Sequence, residues 1–178
     1  MDLGSPLDLL LQPAGISASA VGIVVVDHGS RRTESNELLL EVVDRFARSG
    51  PFSIVEPAHM ELAEPSLATA FGRCVQRGAQ LVVIHPYFLL PGRHWDQDIP
   101  ALAAQAARAH PDVRFLVTAP LGLHPLMLEV MRQRIEHCLA RTLGDGAACA
   151  ACEGTQGCTL RPVRVPDDGA TGPRPRGG

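Results

Sequence analysis

Leu81–Pro100 reads LVVIHPYFLLPGRHWDQDIP. Its first part, Leu81 to Tyr87, is a short aliphatic and β-branched run, the composition of a strand covered on both faces. A break at Pro91 and Gly92 follows, and His94 then stands beside Trp95, Asp96 and Asp98. The stretch reads as a strand that delivers a histidine to the rim of a site, and its neighbours decide what kind of sheet the strand joins.

Toward the N-terminus, Val21 to Val26 (VGIVVV) is a second continuous β-branched run and ends at Asp27-His28-Gly29-Ser30-Arg31-Arg32. Leu38, Leu39, Val42, Val43 and Phe46 follow at helical spacing, with Thr33 as the expected N-cap and Gly50-Pro51 as the stop. Phe52 to Val55 predicts a weaker strand leading into EPAHMELAEPS. Pro65 suits a first helical turn, and Leu67, Ala70, Phe71, Cys74 and Val75 form an apolar stripe that closes at Gly78. Beyond the opening stretch, an alanine-rich helix is expected from Ile99 to Ala109, a fourth strand from Val113 to Thr118, and a last helix with the stripe Leu128, Met131, Ile135, Cys138 and Leu139.

Four strands alternating with four helices at short spacing predict an α/β fold: a parallel sheet with right-handed crossovers and helices on both faces. Ligands of such sheets bind outside the carboxyl ends of the strands, near a topological switch point. His28, Glu61, His94 and His124 each follow a different strand, so the topology predicts that all four share one edge. Two imidazoles and a carboxylate at one edge suit a divalent first-row metal. Ser30, Arg31 and Arg32 lead toward a helix N-terminus, a place that holds anionic groups. The GxGxxG and GxxxxGK[ST] phosphate loops are missing, as is the GxSxG elbow of a hydrolase.

Composition narrows the partners. A chain of 178 residues, 46% hydrophobic and 20% charged, holds one ordinary globular domain with tails. The expected organisation is a flexible leader over residues 1–20, a domain over 21–143, a cysteine-rich segment over 144–160 and a disordered tail over 161–178. The leader carries two aspartates and no arginine, unlike a secretory or organelle-targeting peptide. A net charge of −3 argues against a nucleic-acid partner, and no apolar run is long enough to span a membrane as a helix. Five cysteines, three of them between Cys149 and Cys158, suit a reduced compartment and a metal site better than a disulfide framework. Cys149, Cys152 and Cys158 offer three thiolates and need a fourth ligand. Cys138 fits that place, and its position on an apolar helix stripe equally fits a core role. Four thiolates suit zinc and an iron–sulfur cluster alike.

The ordered set DHGSRR with ESN, VEPAHMELAEPS, PYFLLPGRHW with DIP, and APLG resembles the small single-domain class II chelatases of the sirohydrochlorin type. With C-x10-C-x2-C-x5-C added, the chain is similar to the plant-type sirohydrochlorin ferrochelatases of plastids, over residues 21–160. The resemblance implies a flavodoxin-like half-size lobe that forms a homodimer. It also implies a lyase that inserts Fe(II) into sirohydrochlorin without ATP, the last step of sirohaem biosynthesis, in the chloroplast stroma. It places metal handling on His28 and His94 with Glu61 as their acidic partner, and a [2Fe-2S] cluster on Cys138, Cys149, Cys152 and Cys158. Arg31, Arg32 and Arg93 then become clamps for the macrocycle's carboxylates, with solvated surface charge as the alternative. Asp27 stands where many bacterial relatives carry glycine. Cobalt or nickel insertion, and a non-catalytic carrier of metal or tetrapyrrole, remain the competing readings.

Overall fold

Six consecutive buried residues place β1 (Val21–Asp27) in the interior of a four-stranded sheet, between β2 (Ile54–His59) and β3 (Leu81–Pro86), with β4 (Arg114–Val117) beyond β3. All three pairings are parallel, as the alternation of strands and helices predicts. The computed structural model describes residues 6–144, 146–149, 151–153 and 159–160. The expected disordered tail over 161–178 lies outside the described residues.

Each face of the sheet has its own core. On one, Val24, Val26, Val82 and Ile84 meet Leu67, Ala70, Phe71 and Cys74 of α3 (Leu67–Gln76) and Ile99, Ala103 and Ala106 of α4 (Ile99–Ala107). On the other, Val21, Ile23 and Val25 meet Leu39 and Val43 of α2 (Thr33–Ser49). Alternate residues of one strand thus feed both cores, which is why β1 reads as an unbroken apolar run rather than an alternating one. α3 presses closely on β1: a Cβ on Gly22 would stand 2.8 Å from Cys74 Cβ. A side chain at position 22 would overpack that contact.

Several expected boundaries move. β2 begins two residues later than expected and runs on to His59, through Pro57. A proline without an N–H is tolerated there because β2 is an edge strand. Pro65 stands outside the helix, after a cis Glu64–Pro65 peptide, and Ser66 caps α3 by accepting a hydrogen bond from Thr69 N. Thr33 is the first residue of α2 rather than its cap, which falls on Arg32 and makes no side-chain cap bond. In the segment expected as a flexible leader, α1 (Pro6–Leu11) forms a short helix, and Asp8 accepts a bond from Ala18 N. Ile16 is 5% exposed in the α2-side core. Burying that side chain removes apolar surface that a free leader would leave in water.

The chain forms two compact units, Met1–Met127 and Leu128–Gly178. Most of α5 (Pro125–Leu143) belongs to the second. Its expected core stripe is not a core: Leu128, Met131, Ile135 and Leu139 are each more than half exposed. Periodicity identifies an apolar face on a helix, while burial needs a second apolar surface, and the described part of this unit supplies none.

Candidate active site at the sheet edge

The strand order β2-β1-β3-β4 makes β1 the switch point, because the chain leaves it toward β2 on one side and later returns to β3 on the other. His28 lies just past β1, Glu61 past β2, and His94 opens the π-helical turn His94–Asp98 that leads into α4. The structure brings these three together. His28 Nε2 is 3.2 Å from Glu61 Oε1, and the rings of His28 and His94 meet edge to face with centroids 5.1 Å apart. All three side chains are about half exposed. An open cleft of about 500 Å³ is lined by Met60, Glu61, Arg93, His94, Asp98, Ala101 and Leu102.

His94 is held in one orientation. Its Nδ1 lies 2.8 Å from Asp98 Oδ2, one helical turn on. A carboxylate only accepts, so Nδ1 carries a proton, and in the neutral ring the lone pair then lies on Nε2. The turn itself is anchored by Trp95 Nε1, which donates to Thr118 O at 2.9 Å. This carboxylate–imidazole pairing is the arrangement that fixes the tautomer of metal-binding histidines and raises their basicity.

The loops that carry His28 and Glu61 are zipped together. Met60 N donates to Asp27 O and Glu61 N to His28 O, continuing the β1–β2 ladder past both strand ends. Gly29 adopts φ 84°, and a Cβ there would stand 2.0 Å from the Glu61 carbonyl oxygen. Only glycine accepts both demands. Leu62 turns the β2 loop with φ 67°.

The other expected site residues divide. Arg93 lines the cleft, its Nε 3.7 Å from Asp98 Oδ1. Ser30 is structural in its observed contacts: its N donates to Asn36 Oδ1, its O accepts from Asn36 Nδ2, and its Oγ accepts from Arg32 N. Arg31 and Arg32 are exposed; Arg32 Nε lies 4.0 Å from Glu34 Oε2. His124 does not join the edge group. Its Nδ1 accepts from Leu126 N at the start of α5. Among the described residues, no three His, Cys, Asp or Glu side chains stand ready as a metal-binding cluster. The His28 Nε2 is engaged with Glu61, and an ion bound there would compete for that contact, whereas His94 meets its carboxylate through Nδ1.

Three features of the site receive no role when the residues are read in order. Asp98 was detectable, since its i+4 spacing from His94 places both on one helical face. Asn36, which secures the His28 turn, carries no such signal. The third is the pair formed by Asp27 and His59. His59 Nδ1 donates to Asp27 Oδ1 at 2.6 Å, and its side chain is 1% exposed.

In the second unit, Cys138, Cys149 and Cys152 are partly buried and form no disulfide among the described residues, and Cys158 lies outside them. A hydrogen bond with Cys152 holds the Cys149 thiol below its ordinary pKa, with help from backbone N–H groups of Cys152 and Ala151 and from Arg134. Burial instead pushes the Cys74 thiol up to about 12. Because the thiolate is the reactive form, iodoacetamide at pH 7.5 is expected to alkylate Cys149 of metal-free protein well before Cys74. Peptide mass mapping of a time course would show it, and early alkylation of Cys74 in folded protein would contradict the assignment.

Residues 22–138 match the family described as CbiX. The chain is 55% identical over 141 residues to the chloroplastic sirohydrochlorin ferrochelatase of Arabidopsis thaliana, covering 79% of this chain and 63% of that protein. It thus spans less than two thirds of that relative's length. Among solved structures, it resembles a putative cobalamin biosynthesis CbiX protein from Marinobacter aquaeolei VT8, with a TM-score of 0.60 and 29% identity, covering 68% of this chain and 98% of that one. It also resembles SirB from Bacillus subtilis with Fe3+, with a TM-score of 0.63 and 27% identity, covering 65% of this chain and 46% of that one. The match runs from the strand that carries His28 to the helix that carries Cys138, and the chain belongs to the CbiX family.

Proposed function

We propose that this chain is a sirohydrochlorin ferrochelatase, a lyase that inserts Fe(II) into sirohydrochlorin to give sirohaem without ATP. The observation that carries the reading is the convergence of His28, Glu61 and His94 at the switch point of the sheet, beside an open cleft. The 55% identity to the Arabidopsis ferrochelatase supports both the macrocycle and a chloroplast location.

The residues suit the chemistry. Metallation exchanges one divalent ion for the two protons on the macrocycle's pyrrole nitrogens, so the site must strip water from the ion and accept protons. His94, at the cleft wall and oriented by Asp98, supplies an imidazole to accept a proton or meet the ion. Glu61 offsets the charge of the arriving ion and keeps His28 beside His94. The set is open and incomplete, which favours release of the ion, whereas a closed four-ligand cage retains it. Arg93, at the cleft wall, is placed to meet a peripheral carboxylate of the substrate. Arg31 and Arg32 would reach the substrate only from outside the cleft.

Absorbance assays with sirohydrochlorin and Fe(II), Co(II) or Ni(II) under anaerobic conditions test this. The expected result is protein-dependent insertion fastest with Fe(II). Faster cobalt or nickel insertion would reassign the metal, and macrocycle binding without acceleration over the spontaneous rate would make the protein a carrier. The reading includes a homodimer, because the chain aligns with just under half of the Bacillus subtilis chain, as one lobe of a two-lobed arrangement would. Sedimentation should return a mass near twice 19.0 kDa.

The reading also includes a [2Fe-2S] cluster held by Cys138, Cys149, Cys152 and Cys158. One feature of the described residues fits such a group, the bias of the Cys149 thiol toward the thiolate, while Cys138, Cys149 and Cys152 do not stand together as a metal-binding set in this structure. Such a cluster supplies one-electron redox chemistry; no step of metal insertion by His28, Glu61 and His94 requires it. Protein purified anaerobically should be coloured and contain iron and acid-labile sulfide in equal amounts. Colourless, iron-free protein would remove the cluster from the reading.

A further inference from the structure

Asp27 and His59 are the terminal residues of β1 and β2, and the parallel register sets them opposite each other. His59 is the one buried polar or charged side chain among the described residues, 1% exposed, and a buried imidazole without a partner costs free energy. Its partner is Asp27 Oδ1 at 2.6 Å, and the same oxygen also accepts from Gly29 N at 2.9 Å. One carboxylate oxygen thereby ties the end of β2 to the turn that presents His28. Asp27 O and His28 O take the next two N–H groups of the β2 loop, from Met60 and Glu61. The bare α-carbon of Gly29 lets the two loops touch, since a Cβ there would stand 3.1 Å from His59 Cβ as well as against Glu61. All of these contacts lie beneath the 3.2 Å approach of His28 to Glu61.

We infer that Asp27 and His59 are positioning residues for the chelatase reaction, a buried brace that fixes the distance between His28 and Glu61. The inference rests on the proposed chelatase reading. Neither side chain lines the cleft, so the brace acts through the two groups it aligns. Removing it should lower kcat without weakening capture of the macrocycle. Partners behind metal-handling groups are typically worth about 10–100-fold.

The test compares Asp27→Ala, Asp27→Asn, His59→Phe and the double variant Asp27→Ala/His59→Phe with the unaltered full chain and with His28→Ala. Asn keeps an oxygen for Gly29 N and His59 Nδ1, and Phe keeps the buried ring volume while removing the donor. Asp27→Ala and His59→Phe are each expected to lower kcat for metal insertion at least about tenfold. KM for sirohydrochlorin should stay within twofold, and Asp27→Asn should recover most of the loss. The double variant should be no worse than the more damaged single one, because both remove the same bond. Thermal melts confirm folding, and if His59→Phe does not fold, the pair Asp27→Ala and Asp27→Asn carries the test. Near-normal kcat in Asp27→Ala while His28→Ala is inactive would overturn the brace and leave the chelatase reading standing. So would a loss in Asp27→Asn equal to that in Asp27→Ala. An unaltered chain with no activity over the spontaneous rate would overturn both.

Discussion

His28→Ala and His94→Ala are each expected to lower metal insertion into sirohydrochlorin by at least about 100-fold, the lower range for loss of a proton-transferring group. Both side chains are about half exposed at the sheet edge, so truncation leaves no buried cavity and should move the melting temperature little. The two losses have different routes. Removing His94 takes away an imidazole of the cleft wall, and leaves Asp98 with Arg93 as its remaining charged neighbour among the described residues. Removing His28 frees Glu61 from its one ion-pair contact among the described residues and takes away the ring that packs edge to face on His94. Parallel measurement of insertion rate and of thermal unfolding separates chemistry from stability. Near-normal rates in both variants would remove the histidines from the mechanism.

Gly29→Ala should damage both stability and activity. The residue sits at φ 84°, and its new methyl group would overlap the Glu61 carbonyl oxygen at 2.0 Å. The left-handed backbone costs a non-glycine residue about 1–2 kcal/mol, and forcing the overlap apart adds about 1–3 kcal/mol. The obstacle is backbone, not the mobile end of a side chain, so relief requires the β1 and β2 loops to separate. That movement carries His28 away from Glu61, and a displacement of about 1 Å at a reacting group can cost on the order of 100-fold in rate. Urea unfolding and the insertion assay should therefore fall together. A variant with unchanged stability and full activity would show that the zipped loop arrangement does not matter to the site.

Much of the architecture is legible along the chain because it is written in local periodicity. The aliphatic runs at Val21–Val26 and Leu81–Pro86 announce buried parallel strands, and the spacing of Leu67, Ala70, Phe71 and Cys74 marks the buried face of α3. The rule that ligands gather at the carboxyl ends of such strands anticipates the contacts among His28, Glu61 and His94, while His124, which also follows a strand, makes its observed contact with its own helix. His124 differs because it sits where a helix begins, and its ring nitrogen serves a backbone N–H there. Local patterns also misplaced the burial of α5: a stripe at Leu128, Met131, Ile135 and Leu139 says which way a helix is apolar, and says nothing of what meets it.

By itself, then, the amino-acid sequence determined the parallel α/β sheet and the shared edge at which two imidazoles and one carboxylate meet. Tertiary structure alone decided how those groups are held. Asp27 and His59 are separated by 32 positions and paired only because β1 and β2 align in one particular register. The restriction at Gly29 likewise exists only because the Glu61 carbonyl lies over it. Strand and helix formation depend on neighbours within a few residues, whereas a buried hydrogen bond between two strands depends on register, which a change of one residue would reverse.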